Sequence, residues 1–178
     1  PEIFTEDNAF PFGRWIGARY RNRPNIIWVL GGDRALTTRR HFNIINAMAL
    51  GIRKATGTGQ LITFHPTGGH SSGESLHEEA WLDFNMLQTG HSRHVDSYKM
   101  VEKEYARLPA KPVIDAEPGY EHHPESFEPR NGYLDAADCR NFAYQNLFSG
   151  ACGHAYGDHS IWAMVRQIPT AGFQPGHF

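Results

Sequence analysis

Two carboxylates in this chain each follow a short, largely apolar run. Asp33 comes after the run at 26–30, and Glu117 comes after the run at 113–116. Apolar runs of this length, bounded by turn residues, are typical of buried strands in a parallel sheet. Because α/β barrels keep their reactive side chains at the carboxyl ends of such strands, both carboxylates are expected at one mouth. Cleavage of a glycosidic bond needs such a pair, one acting as acid/base and the other as nucleophile.

Further polar and aromatic side chains follow the other predicted strands or lie in the loops after them. As ligands of a sugar they would donate hydrogen bonds to hydroxyls, tune the pKa of a carboxylate or stack on a ring. Each histidine is equally explained as a loop residue bonded to backbone or water. The candidate substrate-binding residues are Arg34, His65, Gln88, His91, Tyr120, His154, Tyr156, His159 and Trp162.

Five other polar residues near Glu117 are not assigned to the chemistry. Asp115 lies two residues before Glu117 on the same face of the strand, so it is expected to point deeper into the barrel as a structural carboxylate. Four polar residues of the following loop, His122, His123, Glu125 and Glu128, are interpreted as solvated side chains. The two cysteines, Cys139 and Cys152, are interpreted as buried free thiols.

The chain alternates between strand patterns and helix patterns. Strands are predicted at 26–30, 61–64, 82–87, 113–116 and 151–156, beginning about 31 residues apart, which is the length of a βαβ unit. One helix is expected to begin at Thr37 or Thr38 and to end at Gly57, and another to begin at Asp135. Further helices are expected around residues 12–20 and 98–108, and a long loop with one helical turn at 68–79.

Parallel βαβ units build either a doubly wound sheet or a (β/α)8 barrel. No Gly-x-Gly-x-x-Gly follows a strand, so a dinucleotide site is unsupported. Polar side chains at successive strand ends favour the barrel, whose strands direct them to one mouth. A whole barrel takes about 250 residues. The five predicted strands are therefore expected to be the later part of a barrel, in one partial domain over residues 1–178.

Composition limits the classes of partner. Hydrophobic residues make up 40% of the 178 residues and charged residues 20%, which is typical of a globular protein. The net charge of -2 argues against a nucleic-acid partner. No apolar run approaches the roughly 20 residues of a membrane span, and no signal peptide is visible. The sequence predicts no cofactor and no metal, because signatures such as His-Glu-x-x-His are absent.

Five stretches of the sequence together resemble the apiosidase-like catalytic domain of glycoside hydrolase family 140. They run in order over nearly the whole chain, and any one of them would be weak evidence alone. They are NIIWVLGGDR at 25–34, FHPTGGH at 64–70, WLDFNMLQ at 81–88 with the following Gly90-His91, PVIDAEPGYE at 112–121, and GACGHAYG at 150–157 with SIW at 160–162.

The resemblance implies a (β/α)8 barrel that acts with retention of configuration, and it implies that this catalytic-domain chain covers strands 4 to 8. It assigns the acid/base, after the fourth strand, to Asp33 and the nucleophile, after the seventh, to Glu117. It also implies release of apiose from the plant pectin rhamnogalacturonan II by an exported, secreted or periplasmic, bacterial enzyme. In many related retaining barrels an Asn-Glu pair supplies the acid/base, whereas this chain has Gly32-Asp33 at that position. A retaining pair is expected about 5–5.5 Å apart.

Two alternatives to this function remain open. One is a metal-assisted hydrolase that uses His65, His91 and a carboxylate as ligands. The other is a barrel fragment that binds carbohydrate without turnover. The expected partners are an oligosaccharide or polysaccharide substrate, and either the N-terminal half of the barrel or a second copy of the chain.

Overall fold

The computed structural model describes residues 3–164, in which helices and strands alternate. The strands are β1 (Ile27–Gly31), β2 (Leu61–His65), β3 (His70–Ser71), β4 (Asn85–Gln88), β5 (Val113–Asp115) and β6 (Gly153–His154). The helices are α1 (Glu6–Tyr20), α2 (Arg39–Thr56), α3 (Gly73–Leu76), α4 (Ser97–Tyr105), α5 (Ala136–Phe148) and α6 (His159–Trp162). Short 3-10 helices follow β5 at Glu125–Phe127 and Pro129–Asn131. None of the described helices is long and apolar enough to cross a membrane.

The helix boundaries follow from local capping. Thr38 caps α2 through a hydrogen bond that its hydroxyl accepts from the His41 N–H, and Gly57 ends the helix. Asp135 caps α5 by accepting hydrogen bonds from the backbone of Ala137 and Asp138. These predicted caps are confirmed. The strand predicted at 82–87 begins only at 85, and the one at 151–156 is reduced to two residues.

The described residues divide into two compact units. The first contains the residues up to 67 together with 71–86, and the second contains 68–70 and the residues from 87 onward. The two sheets have the strand orders β1-β2 and β3-β4-β5-β6. The single domain over residues 1–178 stays a prediction.

In the first unit, α2 covers one face of the parallel β1-β2 sheet. Leu30, Ile62 and Phe64 pack with apolar residues of α2 in one buried cluster. The opposite face carries Val29 and Leu61, which are 48% and 46% exposed. On this face the described residues bury Thr63 but leave the apolar side chains of Val29 and Leu61 about half exposed.

In the second unit, the sheet packs against α4. Leu87, Val113 and Ala151 form a buried cluster with Val101 of α4. β5 pairs with β6 in parallel, so that Asp115 is paired with His154. Cys139 of α5 is buried but Cys152 is exposed, so the interpretation of two buried thiols is wrong for Cys152.

Candidate active site

Asp33 lies in a tight turn directly after β1. Three consecutive residues have positive φ angles, 79° at Gly31, 124° at Gly32 and 48° at Asp33. At Gly31 a Cβ would collide with the Phe64 ring and lie 2.8 Å from the His65 carbonyl oxygen, so only glycine fits. Aspartate is one of the few other residues that tolerates the left-handed region. The turn presents Asp33 as an exposed side chain at the carboxyl end of the strand.

A cavity of about 1010 Å³ borders this turn within the first unit. Its lining is mostly apolar, with Arg34, Thr37 and His41 among the polar members. His65, at the end of β2, donates from Nδ1 to the Pro66 carbonyl oxygen over 2.9 Å, which leaves the proton off Nε2 in the neutral ring. The first unit thus brings Asp33, Arg34 and His65 to adjacent strand ends.

Glu117 follows β5, and its carboxylate faces the imidazole of His91. The Glu117 side chain is 19% exposed, and its Oε1 lies 3.5 Å from His91 Nε2. His91 Nδ1 accepts a hydrogen bond of 3.3 Å from the Tyr120 N–H. Because Nδ1 is the acceptor, the ring proton lies on Nε2 and points toward the Glu117 carboxylate. The main chain also joins the two strand ends, since Gly90 N–H donates to the Glu117 carbonyl oxygen.

Aromatic and imidazole rings pack around His91. His91 stacks on His123, with ring centroids 4.0 Å apart and planes at 25°, and Tyr120 lies 4.6 Å away. His123 in turn contacts the edge of His159 at 4.9 Å, and His159 contacts Trp162 at 5.3 Å. We call His91, Tyr120, His123, Phe127, His159 and Trp162 the ring cluster.

Burial disfavours the charged form of two imidazoles of the ring cluster, those of His123 and His159. Burial, reinforced by nearby His91, lowers the pKa of His123 to about 4. Its Nδ1 donates to the Pro124 carbonyl oxygen over 2.8 Å. Burial also lowers the pKa of His159, and among the described residues neither of its ring nitrogens has a hydrogen-bond partner. Neutral rings at this position let the cluster pack without repulsion beside the Glu117 carboxylate.

Tyr156 and α6 are held by two carboxylates. The Tyr156 hydroxyl donates to Glu121 Oε2 over 2.7 Å, and this hydrogen bond raises the pKa of Tyr156. Asp158 accepts from the backbone N–H of Ser160 and so caps α6. His122 Nδ1 lies 2.7 Å from Asp158 Oδ2. These contacts fix the loop that carries Tyr156 and the helix that carries His159 and Trp162.

Asp115 lies on the opposite side of β5 from the position that the sequence predicted. Its Oδ2 accepts hydrogen bonds from Thr89 Oγ1, 2.8 Å, and from Asn146 Nδ2 of α5, 2.7 Å, so it faces α5. Val113, two residues earlier, faces the same helical layer.

Two other predicted site residues are also located. His154 lies beside the same helix, with its Nδ1 3.4 Å from Asn146 Nδ2. Gln88, at the end of β4, is buried next to Gly68.

The loop after β5 contains the residues that sequence reasoning missed. His123 is 3% exposed and Glu125 is 5% exposed, so their interpretation as solvated side chains is wrong. Phe127 was not singled out at all, yet it belongs to the ring cluster. Their partners lie about 30 residues earlier in the chain, and a local sequence pattern carries no signal of such contacts. No group of three potential metal ligands occurs among the described residues.

Comparison with known proteins gives one family match. The model of the apiosidase-like catalytic domain matches residues 1–174. No curated protein matches the chain.

Two solved structures have a similar α/β fold. A glycoside hydrolase family 5 protein from Bacteroides vulgatus ATCC 8482 is 37% identical, with a TM-score of 0.82, over 89% of this chain and 36% of that chain. A protein described as a glycoside hydrolase is 33% identical, with a TM-score of 0.83, over 92% of this chain and 40% of that chain. The chain therefore spans well under half the length of the structures it matches.

Proposed function

The chain belongs to the family of apiosidase-like catalytic domains, and we propose that it carries the nucleophile of a retaining exo-glycosidase. One observation carries the proposal: Glu117 lies at the carboxyl end of a parallel strand, 19% exposed, with His91 Nε2 3.5 Å from its carboxylate. A nucleophilic carboxylate has to be held in position toward the carbon that it attacks. The ring N–H of His91 is a hydrogen-bond donor on the side of the Glu117 carboxylate and supplies such a contact.

The proposed reaction has two steps. Glu117 attacks the anomeric carbon and forms a glycosyl ester, while the glycosidic C–O bond breaks and the leaving oxygen takes a proton from Asp33. Asp33 then removes a proton from water, which attacks the same carbon and releases Glu117 as carboxylate. Both faces of the anomeric carbon are used in turn, so the configuration of the sugar is retained.

We propose that the fold is the C-terminal part of a (β/α)8 barrel, strands 4 to 8. The half-exposed Val29 and Leu61 on one face of the β1-β2 sheet support this, because branched apolar side chains fill the interior of such barrels in layers. The remaining wall would come from the rest of a longer protein. We propose His65 and Gln88, at the ends of β2 and β4, among the residues that frame the sugar. His154 is not included, because it is paired with Asp115 and contacts Asn146 of α5 on the helix side of the sheet.

The substrate class follows from the family. Membership of the apiosidase-like family and the resemblance to glycoside hydrolase family 140 support apiose at the end of a rhamnogalacturonan II side chain as the sugar released. Pectin lies outside the bacterial cell, so a secreted or periplasmic location goes with this substrate. Arg34, Tyr120, Tyr156, His159 and Trp162 are proposed substrate contacts together with His91.

Turnover of an aryl apioside by the full-length protein tests the proposal. We expect Glu117→Gln to lower kcat by at least about a thousandfold, because an amide cannot form the glycosyl ester. Added azide should restore turnover of a Glu117→Gly variant, with a glycosyl azide as product. Glu102→Gln is the matched control and should retain full activity, because Glu102 is exposed on the solvent side of α4.

Other results would contradict parts of the proposal. Unchanged turnover in Glu117→Gln would remove Glu117 from the nucleophile role. Loss of activity in EDTA, restored by a divalent metal, would favour the metal-assisted hydrolase instead. Saccharide binding by the wild-type protein without turnover of any glycoside would favour the non-catalytic alternative.

A further inference from the structure

Phe127 is an exposed aromatic side chain in a costly backbone conformation. It is 70% exposed. Its φ angle is 64°, and that of the preceding Ser126 is 53°. Two consecutive residues other than glycine in the left-handed region cost about 1–2 kcal/mol each. Strain of this kind persists only where the surrounding structure imposes it, and it is concentrated at functional sites.

A buried carboxylate imposes this conformation. Glu125 Oε1 accepts hydrogen bonds from the hydroxyls of Ser92, 2.7 Å, and Ser126, 3.0 Å, and Oε2 accepts from the Arg93 N–H, 3.0 Å. The Arg93 guanidinium lies 3.6 Å from the same carboxylate. Burial acts to raise the pKa of Glu125, but these contacts outweigh it and lower the pKa. The Ser126 N–H also donates to the His91 carbonyl oxygen over 2.8 Å.

The turn holds Phe127 one ring away from the proposed nucleophile. Its ring meets His123 edge-on at 4.8 Å and His91 at 5.4 Å, and His91 is the residue that faces Glu117. The buried rings therefore support one part of Phe127, while most of its surface stays open to solvent. A rigid, supported and exposed aromatic ring is suited to stack on an apolar C–H face, which every sugar ring presents.

We propose that Phe127 is a carbohydrate-stacking residue that binds a sugar ring of the polysaccharide next to the one attacked by Glu117. Glu125 is the positioning residue that holds it there. The inference rests on the proposed function in taking a saccharide as the ligand, and it adds a binding residue to that site. The exposure of Phe127 and the strain at Ser126 and Phe127 are then both explained by one role.

Binding, measured apart from turnover, tests this role. Full-length protein carrying Glu117→Gln is titrated calorimetrically with rhamnogalacturonan II oligosaccharides, homogalacturonan, arabinan and xylan. We expect Phe127→Ala to weaken the affinity for the glycan that binds by about fivefold to tenfold. Phe127→Trp should restore it. Phe148→Ala is the matched control, since Phe148 is 87% exposed at the end of α5.

A double-mutant cycle separates positioning from folding. If Glu125 acts through Phe127, Glu125→Gln should weaken glycan binding when Phe127 is present and should have little effect when Phe127 is already alanine. Both measurements are made in the protein that carries Glu117→Gln. Affinity unchanged by Phe127→Ala on every glycan, or absence of binding to all four, would overturn the inference. If the protein does not turn over the apioside but its affinity for any of the glycans depends on Phe127, only the proposed reaction is overturned.

Discussion

Asp115 is a buried carboxylate whose pKa is raised. Burial raises its pKa to about 6, although hydrogen bonds from Thr89 and Asn146 oppose the shift. The ordinary value is 3.8. Between these two pH values the folded state binds more protons at this residue than the unfolded state. The unfolding free energy contributed by Asp115 therefore falls as the pH rises through this interval.

Asp115→Asn should remove this pH dependence. Relative to wild type, the variant should gain unfolding free energy between about pH 4 and pH 6, by an amount on the order of 2–3 kcal/mol. Urea denaturation of both proteins over a series of pH values measures the difference. The pH slope decides the test, because the introduced amide also changes the hydrogen bonds at every pH.

Thr89→Val provides the opposite change at the same carboxylate. It removes the hydroxyl that donates to Asp115 Oδ2 with little change of shape. Because that hydrogen bond stabilises the charged form, its loss should raise the pKa further and steepen the decline of stability with pH. Identical slopes in wild type, Asp115→Asn and Thr89→Val would show that Asp115 does not titrate in this interval.

At the scale of elements, α1 and α2 are in backbone contact. A Cβ at Gly51 would collide with the Phe10 carbonyl oxygen and lie 2.9 Å from the Arg14 nitrogen. A Cβ at Gly13 would collide with the Met48 carbonyl oxygen. The crossing of the two helices thus requires glycine on both sides, because neither contacted atom belongs to a flexible side chain.

Gly51→Ala should therefore destabilise the protein although alanine favours helix. Overpacking costs about 1–3 kcal/mol and the higher helix propensity of alanine offsets about 1 kcal/mol of it, so we expect a net loss of up to about 2 kcal/mol. Gly59→Ala is the control, since its Cβ would meet only the Thr56 oxygen at 3.5 Å. Calorimetric unfolding of the two variants should separate them, and equal stability would refute the close helix contact.

Local sequence patterns predicted the longer elements better than the short ones. Thr38 and Asp135 could be identified as caps because capping involves residues within one helical turn. β3 and α6 are too short for a periodic pattern, and neither was predicted. The burial of Glu125 depends on Ser92, 33 residues earlier, and no local pattern reports a contact at that separation. Strand-end carboxylates and four rings of the ring cluster, those of His91, Tyr120, His159 and Trp162, could be named from the sequence, but His123 and Phe127 could not.

At the scale of the whole molecule, the chain spans 36% and 40% of the two solved structures it resembles. Within the described residues, one face of the β1-β2 sheet carries Ile27, Val29 and Leu61, which are about half exposed. Apolar patches of this kind are uncommon on the surface of soluble monomers and indicate that something covers them. In a closed barrel the interior layers of side chains cover this face.

Closure of the barrel predicts that Val29 is buried in the full-length protein. Val29→Thr keeps the shape of the side chain but adds a polar hydroxyl to the apolar interior that closure implies, and it should cost about 1–3 kcal/mol of unfolding free energy. Leu108→Thr, at a position 82% exposed outside the sheet, should change stability by less than about 0.5 kcal/mol. Denaturant unfolding of the full-length variants measures both. A neutral Val29→Thr would mean that this face remains in water and that the sheet does not close, because a hydroxyl in contact with solvent loses no hydrogen bond.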